Sequence, residues 1–103
     1  MSYVSLDFLK DNFTDEKIVF FDIGCCNLWD TKDFVATLPN ATFYAFEPLR
    51  DYYEINLERC VEYGVNFFNY LMLTLFQTLL RMKSVVLSGI GTYSKSVAIF
   101  LPS

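Results

Sequence analysis

Residues 18–48, IVFFDIGCCNLWDTKDFVATLPNATFYAFEP, decide the fold. An uninterrupted apolar run, Ile18 to Phe21, stops at Asp22 and Gly24. A run without polar alternation is what a strand buried on both faces requires. A second apolar run, ATFYAF, stops in the same way at Glu47 and Pro48. Between them, TKDFVATLPN puts Phe34, Val35 and Leu38 on one side of a short helix. Pro39 ends it, because the residue before a proline avoids the helical region. Strand, helix and strand in this order make a parallel pair joined by a crossover helix, with one acid at each strand's carboxyl end.

Upstream, SLDFLKDNF spaces Leu6, Leu9 and Phe13 along one helix face, with Ser5 as the N-cap. Downstream, LRDYYEINLERCVEYG repeats Leu49, Tyr53, Leu57 and Val61 at every fourth position, which predicts an inward-facing stripe. Gly64 suits the left-handed position after that helix. VNFFNY reads as a third strand. LMLTLFQTLLRMK, residues 71–83, is apolar for about half the length a membrane span needs, so it predicts a packed helix. With few other elements to bury it, one side of 71–82 is expected to stay uncovered and to drive self-association. SVVLSGIGTYSKSVAIFLPS has β-rich pieces around Gly89, Gly91 and Ser94 and predicts a hairpin-like end. The fold class is therefore α/β, a parallel sheet with crossover helices, in one domain over residues 1–103: a βαβαβ core at 18–69, an apolar insert at 71–84 and a β-rich end at 85–103.

Composition limits the function. The chain is 53% hydrophobic, enough to fill a core, and its formal charge of −4 argues against nucleic acid as a partner. Residues 1–17 lack the basic start and apolar block of a secretory leader, and three cysteines cannot all pair internally, so a cytoplasmic setting is expected. There is no histidine. Adjacent Cys25 and Cys26 match neither the C-x-x-C of a redox pair nor the ligand pairs of structural zinc. The usual neutral-pH general base is missing too.

In parallel sheets, ligands sit beyond the carboxyl ends of the strands. A nucleotide-type cofactor there needs a loop that backbone can approach closely, a helix N-terminus, and an acid for ribose hydroxyls. Gly24, the helix start at Asp30 or Thr31, and Glu47 meet those needs. The distance from Asp22 to Glu47 is close to the roughly 20-residue spacing of such units. The dinucleotide fingerprint G-x-G-x-x-G is not satisfied, since Cys26 stands where its second glycine belongs. Asp22 would also repel a pyrophosphate. S-adenosylmethionine carries a positive sulfonium and ammonium instead, so the sign of Asp22 favours a methyl donor.

The stretch FFDIGCCNLWDTKDFVATLPNATFYAFEPLRDYYEINLERC resembles the N-terminal half of an FkbM-type S-adenosylmethionine-dependent methyltransferase. Asp22, Ile23, Gly24 and Cys25 match that family's D-[IV]-G-[AC] strand end, and Ala45, Phe46, Glu47 and Pro48 its A-F-E-P element. VVLSGIGTYSKSVAIFLPS resembles a later strand pair more loosely. The resemblance implies a partial Rossmann-like sheet and O-methyl transfer to a small-molecule acceptor. It also implies a cofactor site in which Gly24 and Cys25 line the methionine part, Glu47 holds the ribose, and Asp22 positions the ammonium side. No catalytic residue is implied; Asp30 is a faint candidate for a base. Leu28 stands where the family usually has a small residue, and the 71–84 insert has no counterpart there. The chain is accordingly expected to be a fragment or divergent copy, the alternative being an inactive remnant that acts through protein contacts.

Overall fold

A computed structural model describes residues 5–70, 84–88 and 96–100; in the last two segments it describes the backbone and the Ile99 side chain. The apolar run around Phe20 forms strand β1 (Val19–Ile23). Helix α2 (Trp29–Thr37) leads to β2 (Thr42–Phe46). A short 3-10 turn (Arg50–Tyr52) and helix α3 (Tyr53–Tyr63) then lead to β3 (Asn66–Phe68). Helix α1 (Leu6–Phe13) precedes them, and β4 (Ser84–Ser88) and β5 (Ser96–Phe100) follow. The sheet runs β3-β2-β1-β5-β4. β1, β2 and β3 are parallel, as the strand–helix–strand order predicts. β4 and β5 form the expected antiparallel pair. The sequence pattern did not show that β5 lies antiparallel along the open edge of β1, Val19 opposite Phe100 and Ile23 opposite Ser96. That neighbour makes β1 an interior strand. Its unbroken apolar run reflects burial on both faces, Phe20 under the helices and Phe21 and Ile23 in the cluster on the other side.

All three described α-helices share one face of the sheet. Leu9 and Phe13 of α1, Phe34 of α2 and Leu38 just beyond it close over Ile18, Phe20, Phe43, Ala45 and Ile99, with Cys60 and Tyr63 of α3 at the margin. The Phe20 ring stands 5.0 Å from Phe34 and 5.1 Å from Phe43. Ser5 caps α1 as expected, its hydroxyl accepting the Phe8 N–H at 3.0 Å. Side chains alternate along a strand, so the other face is built from the intervening residues. Phe21, Ile23 and Phe46 are buried there, with Val19, Tyr44 and Phe68 beside them. The Phe46 and Phe68 rings stack with centroids 5.2 Å apart.

Two expectations about helix faces need correction. Leu6 of α1 is exposed; Leu9 and Phe13 alone turn inward. The predicted inward stripe of α3 lies outside: Leu49 is 53% exposed, Leu57 45% and Val61 81%. The side that turns in carries Asn56, which is fully buried, with Cys60 and Tyr63 packed against the core. The cause is what lies beneath. Part of α3 covers backbone carbonyls of the loop after β1, and carbonyls require donors rather than leucines. The expectations of a packed helix and of self-association within 71–83 fall outside the described residues. No described helix is long and apolar enough to cross a membrane.

The two surfaces should respond differently to truncation. Phe46→Ala removes a ring that is 1% exposed and is expected to cost about 3–5 kcal/mol in chemical denaturation. Val61→Ala should stay within about 0.5 kcal/mol of wild type. Equal losses from the two changes would contradict the assignment of inner and outer faces.

Candidate functional site at the strand ends

Three carboxyl ends are tied side by side. The N–H groups of Gly24 and Cys25 both donate to the Phe46 carbonyl, at 2.8 and 3.0 Å, and the Glu47 N–H donates to the Phe68 carbonyl at 3.1 Å. Gly24 turns the chain off β1 with φ +75°, a conformation glycine adopts freely. Cys26 and Leu28 are left-handed as well, at φ +53° and +62°. A non-glycine residue resists that region, so the loop must be held from outside.

Glu47 does much of the holding. Its Oε1 accepts the Cys26 N–H at 2.8 Å and its Oε2 accepts the Leu49 N–H at 3.1 Å. One carboxylate thereby joins the loop after β1 to the chain leaving β2, and it is only 4% exposed. Helix α3 holds the same loop by its carbonyls. Asn56 Nδ2 donates to the Cys26 carbonyl at 2.6 Å and Arg59 Nη1 to the Asn27 carbonyl at 2.8 Å. The Asn27 side chain accepts the Trp29 N–H at 3.1 Å and so caps α2 in place of Leu28, which has no capping side chain. Asn56 Oδ1 is buried with no hydrogen-bond partner among the described residues.

Of the residues expected at the site, Gly24, Cys25 and Glu47 do meet at the strand ends. Asp22 sits on the helical side of the sheet. It is buried, and its Oδ2 accepts the Thr31 hydroxyl at 2.5 Å, which ties β1 to the first turn of α2. The Cys25 side chain enters the core beside Leu28, so its backbone is what faces the loop. Asp30 is exposed in the first turn of α2, which begins at Trp29 and not at Asp30 or Thr31. Leu28 points down into the core cluster and does not fill the space beyond the strand ends. Asn56 and Arg59 were not anticipated. The available signal was their three-residue spacing on one helix face, which puts two donors on the same side as the chain passing beneath.

The outer rim is cationic and aromatic. Trp29 lies with Lys32 Nζ 3.9 Å and the Arg59 guanidinium 5.4 Å from its ring centre. The described residues hold no group of three or more His, Cys, Asp or Glu arranged for a metal ion. Comparison with family models, with curated proteins and with solved structures returned no match.

Two substitutions test this geometry. Glu47→Ala deprives the Cys26 N–H of its acceptor and should cost about 1–3 kcal/mol, with faster hydrogen exchange at Cys26 than at core strand amides. Leu28→Gly relieves about 1–2 kcal/mol of left-handed strain but empties a core position worth about 2–5 kcal/mol. The expected result is net destabilisation in denaturant titration. A more stable Leu28→Gly protein would contradict the buried placement of the leucine.

Proposed function

We propose that the chain is a Rossmann-like, S-adenosylmethionine-binding domain of the FkbM methyltransferase type, a fragment or divergent copy acting in O-methyl transfer to a small-molecule acceptor. The observation that carries this reading is the meeting of the Gly24–Cys26 loop with Glu47 beyond parallel strands, through the 2.8 Å contact from Cys26 N–H to Oε1. Carboxyl ends of parallel strands are where such sheets bind ligands. The residues fit the cofactor in two respects. Gly24 lets backbone approach a ligand closely. Each Glu47 oxygen retains acceptor capacity after taking one N–H, so lone pairs remain for ribose hydroxyls.

In this reading Glu47 holds the ribose, Gly24 and the Cys25 backbone line the methionine part, and Asp22 adds negative charge at the same strand end while positioning α2 through Thr31. The cofactor supplies the methyl group on a positively charged sulfur. The chain's own part is to orient and desolvate, which can dominate such a displacement. Three free cysteines agree with a cytoplasmic setting.

One observation favours the second reading, an inactive remnant acting through protein contacts. Both Glu47 oxygens already serve the backbone, and the carboxylate is almost wholly covered. Calorimetric titration separates the two. Binding of S-adenosylmethionine and its demethylated product in preference to NAD is expected, with Glu47→Gln weakening it about ten- to hundredfold. Tighter NAD binding would sink the proposal. An absence of binding by folded protein at millimolar ligand would leave the remnant.

A further inference from the structure

We infer that the outer side of α3 is a docking surface for a basic amphipathic helix of a partner protein. The inference rests on the exposed side of α3 and is independent of the cofactor reading. Leu49, Tyr53, Leu57 and Val61 follow one another at four-residue steps and are all exposed. From Tyr53 on, residues so spaced lie one above the other along a helix. Glu54, Glu58 and Glu62 each follow a stripe residue directly and are exposed, so they form a second row alongside the first.

The acidic row is poorly explained by the needs of the helix. Like charges four residues apart repel, and this row has two such pairs. Glu62 lies in the last turn, where the helix dipole disfavours anions, and that turn has no basic residue. A cationic partner would relieve both. Next to the row, Asp51, Glu54, Ile55 and Glu58 line an open depression of about 330 Å³. A depression lined by three carboxylates and one isoleucine suits a lysine or arginine, whose stem is apolar and whose head is charged.

The opposite side of α3 is committed to the fold, with Asn56 and Arg59 bonded to the loop carbonyls. The outer side is therefore offered on a helix already fixed in place. A second copy of this chain fits badly, because its stripe brings the same acidic row into a like-charge contact. An anionic membrane is disfavoured for the same reason. A helix with leucine-type residues at three- and four-residue steps, flanked by lysine or arginine, matches both rows in the helix-to-groove mode.

The test uses the full chain and a synthetic amphipathic helix of leucine, lysine and alanine, with a scrambled version and a glutamate-for-lysine version as controls. Titration should show binding of the lysine helix at least about tenfold tighter than either control. Leu57→Ser, at an exposed position, should weaken it about tenfold with an unchanged circular dichroism spectrum. The triple variant Glu54→Lys, Glu58→Lys, Glu62→Lys should reverse the preference toward the glutamate helix. The inference is overturned if the lysine and scrambled peptides bind alike or not at all, or if Leu57→Ser binds as wild type. It is also overturned if sedimentation shows a dimer of the chain that Leu57→Ser abolishes.

Discussion

The Glu47 carboxylate is the contact on which the arrangement beyond the strands depends. The loop after β1 places Gly24, Cys26 and Leu28 in left-handed conformations within five residues. Only the first is a glycine, so the loop has a standing tendency to relax. The Cys26 N–H bonded to Oε1 fixes the middle of that loop, and the Leu49 N–H bonded to Oε2 fixes the chain that leaves β2. Two segments far apart in sequence thus share one acceptor. The parallel pairing of β1 and β2 brings them within its reach, and the carboxylate in turn holds them in register at the ends where the ladder stops.

Legibility followed the periodicity of the local environment. β1 and β2 could be read because a strand buried on both faces needs apolar residues on both, and Ile18 to Phe21 has nothing else. The N-cap of α1 could be read because a serine before an amphipathic turn readily accepts one of the helix's first N–H groups. The match of Gly24 and Glu47 at neighbouring strand ends could also be read, since parallel pairing follows from the strand–helix–strand order. What could not be read was β5 beside β1. Its pairing joins residues about eighty positions apart, and no local pattern carries that partner.

The face of α3 was misread for a more specific reason. Leu49, Tyr53, Leu57 and Val61 form a regular stripe, and a regular stripe is ordinarily a core face. Here the ground under part of the helix is the turned loop after β1, whose Cys26 and Asn27 carbonyls point up at it. Burying leucine on them would leave two acceptors unsatisfied at a cost of about 1–3 kcal/mol each. Asn56 and Arg59 meet them instead. A hydrophobicity pattern records which residues are apolar; it does not record whether the neighbouring surface is side chain or exposed backbone.

The same constraint links the loop to the outside of the helix. Once Asn56 and Arg59 must face inward, the rotation of α3 is set, and residues on the opposite side have no freedom to turn in. Tyr53, Leu57 and Val61 are exposed as a consequence. The strain of the two left-handed non-glycine residues, Cys26 and Leu28, is thereby carried across the fold: it is held in part by donors on α3, and those donors determine which surface α3 shows to solvent. A change that loosened the Asn56 contact would leave Cys26 held through its N–H by Glu47 without the Asn56 bond to its carbonyl, and it would also weaken the reason for the apolar stripe to stay outside. The strand-end loop and the outer face of α3 are two ends of one mechanical connection, with Asn56 between them.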